Sequence, residues 1–305
     1  VNMTVNPVAD APDMDGPGAS TGGDVSLTDI ATNEDTAVNL GLHVPIIIDD
    51  ATGTGNNPEA ERLGEITLTL SGGGHVENVN LSAAADGSSP AIDFDFPSSG
   101  TVDIWITDID HPADLTKPAG ALEMTSAQYE GLQLTPSEHR SENIDISIKA
   151  SSYEVDGAGN IAIVGGTAVP AAESEATLKV YVEAVTDDAE LAFDTTATSG
   201  INNVDSVSYT NATKAEVTIN EDEPFKLNDI LSANFEDLDG SEVRSITIEN
   251  TTGQTIMVDG VALADGSSRE VDAKAGNAGQ TGGVDSFPDI TLGGTKDFSG
   301  DLKGI

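Results

Sequence analysis

The chain has 305 residues, with 53 Asp+Glu against 12 Lys+Arg, a formal net charge of −41 and no cysteine. Disulfides, thiolate metal sites and thiol nucleophiles are thereby excluded, and so large a negative charge repels phosphate backbones and anionic lipid, which argues against nucleic-acid and membrane-surface partners. The longest apolar runs, such as Val44–Ile48, fall far short of the roughly 20 residues of a membrane helix, and no basic segment precedes an apolar stretch near Val1, so no secretory signal is read there.

Low hydrophobicity with high net charge is also the composition of disordered chains, so the case for a folded protein rests on periodicity. Alternation of period two recurs along the chain. Asp24–Ile30 is the first candidate strand. Glu65–Leu70 places Ile66, Leu68 and Leu70 on one face and Glu65, Thr67 and Thr69 on the other. Val76–Leu81 follows. Thr101–Thr107 aligns Val102, Ile104 and Ile106 and leaves Trp105 opposite. Asn143–Ala150 turns Ile144, Ile146 and Ile148 inward, and Thr177–Val185 aligns Leu178, Val180 and Val182. The last third offers Glu216–Ile219, Arg244–Glu249 and Thr255–Val258. Turn-forming Gly, Asp, Asn, Ser and Pro bound these segments. No apolar stripe of period 3.6 persists for three turns, so helical turns are expected only near Ser126–Gly131 and Leu227–Ala233. The expectation is an all-β fold of antiparallel β-sandwich type.

At roughly 100–200 residues per domain the length suggests two domains, and self-similarity locates them. Val5–Pro12 (VNPVADAP) matches Val182–Ala189 (VEAVTDDA) in pattern: a strand end followed by an acidic joint. Downstream of each joint stands the same tripeptide, Asn33-Glu34-Asp35 and Asn220-Glu221-Asp222. An acidic loop follows each, Asp49-Asp50 and then Glu236–Glu242, and leads into a strand. Residues 1–10 are therefore read as the last strand and joint of a preceding module, 11–188 as one complete module and 189–305 as a second. The second is expected to be incomplete, split or truncated, because the strand pair Asn143–Tyr153 and Thr177–Val185 has no counterpart before Ile305.

The succession VADAP, NED, DLDGSE, TPSEHRSENIDISIKA and LKVYVEAVTDD resembles the tandem Ig-like or cadherin-like repeats of giant bacterial RTX adhesins. The resemblance spans nearly the whole chain, although the glycine-rich nonapeptide that names the class is absent. It implies elongated arrays of calcium-stiffened extender modules on the bacterial cell surface, exported by type I secretion, that project ligand-binding domains in adhesion and biofilm formation. It also implies that the partners are calcium ions and neighbouring modules of the same longer chain, with the protein a monomer.

Calcium takes six to eight oxygens without demanding rigid geometry, and the acidic residues gather at turns and joints where loops converge. The candidate ligands in the second module are Glu221, Asp222, Asp237, Asp239 and Glu242. In the first they are Glu34, Asp35, Asp49 and Asp50, with Glu59 and Glu61 at the end of a Gly/Asn-rich loop. Asp10, Asp13, Asp187 and Asp188 stand at the joints, and Asp108 and Asp110 form a further pair. A solvated turn accounts for any single pair; recurrence at matching places, and the repulsion between close carboxylates, favour several bound ions.

His43, His75, His111 and His139 show no paired spacing, and no nucleophile elbow or phosphate loop occurs. The chain is accordingly expected not to be an enzyme. Two alternatives stay open: the larger first module is itself a calcium-dependent peptide- or glycan-binding module, through the Ala51–Glu61 loop and Trp105, or the chain is an extracellular polysaccharide-active enzyme.

Overall fold

The computed structural model describes residues 3, 6–15, 25–47, 61–72, 76–87, 89–186, 189–235, 241, 245–272 and 290–303. The chain divides into two compact units, Val1–Val185 and Thr186–Ile305.

Unit 1 opens with β1 (Val25–Ser26), β2 (Ile30–Asn33) and β3 (Val38–Asn39). The long β4 (Glu61–Gly72) precedes β5 (Asn80–Ala83), β6 (Ile92–Asp95) and β7 (Thr101–Ile106). Short β8 (Leu122–Met124) and β9 (Gln133–Thr135) flank the helical turn α1 (Ser126–Glu130). A second long strand, β10 (Ile144–Glu154), is joined through the hairpin of β11 (Ile163–Val164) and β12 (Thr167–Ala168) to β13 (Ala172–Glu183).

One sheet runs β1-β13-β10-β4-β7-β8, with β2 also pairing β13; the other runs β3-β9-β5-β6. Both contribute to a single apolar core, Ile66, Leu68, Ile104, Ile146 and Val180 from the first and Leu81 and Leu134 from the second. That is a β-sandwich. The cause is the alternation: in β10, Ile144, Ile146, Ile148 and Ala150 are buried while Asp145 and Lys149 are exposed. Each fully buried Leu or Ile contributes about 1.5–3 kcal/mol. The outer face adds the ion pairs Lys179–Asp145 (3.1 Å) and Lys149–Glu173 (2.6 Å), each worth at most about 1 kcal/mol at such exposure. Within α1, Thr125 caps the N-terminus in a reciprocal box with Gln128.

Unit 2 comprises β14 (Ala189–Phe193), β15 (Ser206–Asn211), β16 (Lys214–Thr218), β17 (Phe225–Lys226), β18 (Leu231–Phe235) and β19 (Ser245–Asn250). It continues with β20 (Ile256–Val258), β21 (Val261–Leu263), β22 (Ser267–Asp272) and β23 (Thr291–Gly294). A four-stranded sheet runs β17-β23-β20-β21, and β19-β22, β14-β18 and β15-β16 pair in twos. The core holds Phe225, Ile246, Ile248, Ile256, Val258 and Leu292.

The two units share a strand plan. The order β17-β23-β20-β21 repeats β3-β9-β5-β6, and the registers agree: Val38 and Leu81 both face Leu134, as Phe225 and Val258 both face Leu292. Likewise β4 pairs β7 with Ile66 opposite Ile104 and Leu68 opposite Val102. β19 pairs β22 with Ile246 opposite Val271 and Ile248 opposite Arg269.

Three local expectations differ from the structure. Among the described residues of the first ten, Met3 and Asn6–Asp10 form no strand, and the segment belongs to unit 1. Pro7 offers no N–H to a ladder, and the backbone of Asp10 is engaged by side chains, donating to Glu61 and accepting from Ser152. Val76–Leu81 is not one strand but a 3-10 turn, Val76–Asn78, leading into β5. Asp24–Ile30 is divided, β1 ending at Ser26 and β2 starting at Ile30, whereas the helical turn expected near Leu227–Ala233 is present as the 3-10 turn Leu227–Asp229 before β18.

Candidate metal centre

The tripeptide Asn-Glu-Asp forms the same turn in both units. The N–H of Thr36 donates to the Asn33 carbonyl at 3.3 Å, and that of Glu223 donates to the Asn220 carbonyl at 3.3 Å. Asp35 (φ 56°) and Asp222 (φ 65°) both adopt the left-handed conformation, which Asp tolerates better than most side-chain-bearing residues. Each carboxylate then reaches a second, distant turn. Asp35 Oδ1 accepts the backbone N–H of His139 at 3.0 Å, and Asp222 Oδ1 accepts that of Asp297 at 2.8 Å. His139 and Asp297 are themselves left-handed, φ 54° and 57°, and each stands five residues beyond the leucine that pairs with the strand after the tripeptide, Leu134 or Leu292. The motif is a carboxylate clamp between two tight turns, built twice.

Three other candidate ligands, Glu34, Asp13 and Asp108, also serve the chain's own donors. Glu34 is buried, 3% exposed, and its carboxylate accepts the N–H of Val185 while its own N–H donates to the Glu183 carbonyl at 3.0 Å. Asp13, 2% exposed, bridges Ile46 through both backbone groups and accepts the N–H of Asp15 at 2.9 Å. Asp108 Oδ1 accepts both the N–H (2.7 Å) and the hydroxyl (2.8 Å) of Ser126 at the start of α1, where a negative charge is favoured. Asp194 and Asp156 behave alike in loops the sequence did not single out. The Thr196 hydroxyl and N–H hold the Asp194 carboxyl below the usual carboxylate range, and the N–H groups of Asn160 and Ala158 do the same for Asp156. Glu221 is exposed.

Asp110 lies on the wall of a cleft of about 320 Å³ between Val44–Ile47 and β4, together with Glu61, Arg62, Leu63 and Ile109. Arg62 donates to the His111 carbonyl at 2.8 Å, and its guanidinium packs against Gly159. Beside the cleft Trp105 stacks on the His111 ring (centroids 3.7 Å apart, 22° between planes). The two ring nitrogens of His111 stand 2.8 Å from the Leu63 carbonyl and 2.7 Å from that of Ile106. Trp105 is thus half-buried against a histidine that ties β4 to the end of β7, rather than standing clear on the outer face.

Asp49, Asp50, Glu59, Asp187, Asp188, Asp237, Asp239 and Glu242 lie outside the described residues. Among the described residues no three Asp, Glu or His side chains converge as a calcium shell requires. Asp13, Glu34, Asp35, Asp108 and Asp222 act as clamps for backbone N–H groups. No model of a known protein family matches the chain, and no curated protein matches it.

Proposed function

We propose that this chain is a structural extender region of a bacterial cell-surface adhesin, in which repeated β-sandwich modules of Ig-like or cadherin-like kind, exported by type I secretion, carry ligand-binding domains outward in adhesion and biofilm formation. The observation that supports the reading is the repetition itself: two units share one strand order, one register and one clamped Asn-Glu-Asp turn. Duplicating a sandwich adds length without adding a new active cleft, as a spacer requires. A cysteine-free chain of charge −41 suits a salty extracellular setting.

Calcium belongs to the proposal as stabiliser. The acid-rich segments Asp49-Asp50, Asp187-Asp188 and Glu236–Glu242 are the loops for it, and an ion bound only by the folded state raises stability by mass action, about 2.7 kcal/mol per site at a hundred times its dissociation constant. For units of this size that corresponds to roughly 5–10 °C in melting temperature. Thermal melting through a calcium titration, at constant ionic strength and against an EGTA-treated sample, tests it. A saturable rise of that size supports the proposal; coincident melts remove calcium from it.

A second reading makes unit 1 a peptide- or glycan-binding module. It draws on the cleft lined by Glu61, Arg62 and Asp110, of which Glu61 is the last residue of the Ala51–Glu61 segment. A glycan array and a peptide panel separate the two: a spacer retains nothing, a binder retains a defined class.

A further inference from the structure

In unit 1 the strand β4 has two neighbours, β7 on one side and β10 on the other. Its counterpart β19 has one, β22, among the described residues. Because the β19-β22 register reproduces that of β4-β7, the edge that no described strand pairs is the one that β10 covers in unit 1. Exposure agrees: Ile66 and Leu68 are 0% exposed, whereas Ile246 and Ile248 are 8% and 5%. So does the clamp turn: Glu183 at the end of β13 and Val185 just beyond it cover Glu34, and its equivalent Glu221 is exposed.

We propose that the edge of β19 that no described strand pairs is an acceptor site for an added β-strand, antiparallel to it, with β-branched residues at alternate positions. The occupant is a polypeptide segment of the β10 type, Ile-x-Ile-x-Ile-x-Ala, supplied by a partner chain. Unit 1 supplies the template. Ile148 there faces Leu68 and Ala150 faces Ile66, so the incoming strand sets its apolar side chains against Ile248 and Ile246 and extends the core. The ladder of backbone hydrogen bonds supplies affinity and the alternation supplies register, as in other strand additions. An unpaired edge with an apolar inner face is otherwise an aggregation hazard, which is a reason for it to be filled. The inference rests on strand register and exposure and does not depend on calcium.

The probe is a synthetic peptide of residues 143–153, and the absence of cysteine makes cross-linking clean. Thr247, exposed on β19, corresponds to Thr67, which faces Lys149; directly opposed residues lie close enough for a disulfide. The full-length Thr247→Cys chain is mixed under mild oxidation with the peptide carrying Cys at the Lys149 position, or at the neighbouring Ile148 position. Coupling at least ten times greater for the first supports the site and its register. Absent coupling, or equal coupling at both positions, overturns it. Disulfide-linked dimers of the chain that persist with the peptide in excess overturn it in favour of a second copy on the same edge. The unsubstituted chain provides the independent readout: amide exchange across Ser245–Asn250 slows at least tenfold with the peptide and is unchanged by one with Asp at its three Ile positions.

Discussion

Asp35 and Asp222 each combine two properties that few side chains offer together, tolerance of a left-handed backbone and an acceptor short enough to reach the next turn. Replacement by Ala removes the acceptor and leaves a Cβ that the left-handed region disfavours, so Asp35→Ala and Asp222→Ala each cost about 1–2 kcal/mol. Asn retains the backbone tolerance and a neutral carbonyl oxygen, and costs less than half as much. Because Asp35 lies in unit 1 and Asp222 in unit 2, each loss registers in the transition of its own unit. Amide exchange at His139 and at Asp297 distinguishes them: the Ala variant accelerates only the partner it clamped. Equal acceleration at both would show that the clamps are incidental.

Among elements, β4 and β10 carry most of unit 1, and their pairing has one irregularity, a register shift between Ala150 and Ser152. Gly64 lies at this bulge. A Cβ there would stand 2.7 Å from Ser151 Oγ and closer still to the Tyr153 ring, which packs over the glycine. The Tyr153 ring and Ser151 must both shift to admit the methyl group, so Gly64→Ala lowers stability by about 1–3 kcal/mol. The companion Gly64→Ala/Tyr153→Ala variant should lose less than the sum of its parts; denaturant melts of the single and double variants check this, and simple additivity would refute it. The same strands show what a sequence makes legible. β4, β7, β10 and β13 announce themselves because each has one apolar face and one polar face over six residues or more. β22 (SSREVD) does not, since Arg269 occupies the position where β7 has Val102, with its guanidinium donating to the Val258 carbonyl. β15 carries too few apolar residues to signal. In the candidate site, the repeated Asn-Glu-Asp is visible as text. Its partners are not: His139 and Asp297 share no chemistry, only a backbone N–H and a position five residues past a paired leucine. Asp13, Glu34, Asp35, Asp108 and Asp222, read as ion ligands, accept backbone N–H groups, a use that depends on which turns the topology brings together.

For the molecule as a whole the charge of −41 sets a background against which every other term acts. Self-repulsion of that size opposes compactness and is screened over about 10 Å at 0.1 M salt and about 3 Å at 1 M. In EGTA, raising NaCl from 0.02 to 0.5 M should therefore increase the melting temperature of both units by several degrees, with most of the gain below 0.2 M. A few millimolar calcium adds almost nothing to ionic strength, so stabilisation by calcium beyond that of matched NaCl separates bound ions from screening. Acid acts in the opposite sense through particular groups. Asp156 and Asp194 have folded-state values lowered from 3.8, so the stability they contribute is full above that value and is lost as pH falls through the lower one. Asp194→Asn removes that dependence for the loop it holds, which carbon-detected titration of the carboxyl and melting at pH 2–5 both read. If sodium chloride leaves the melts unmoved while millimolar calcium raises them, repulsion is already relieved by the arrangement of the clamps, and specific ions rather than screening govern the fold.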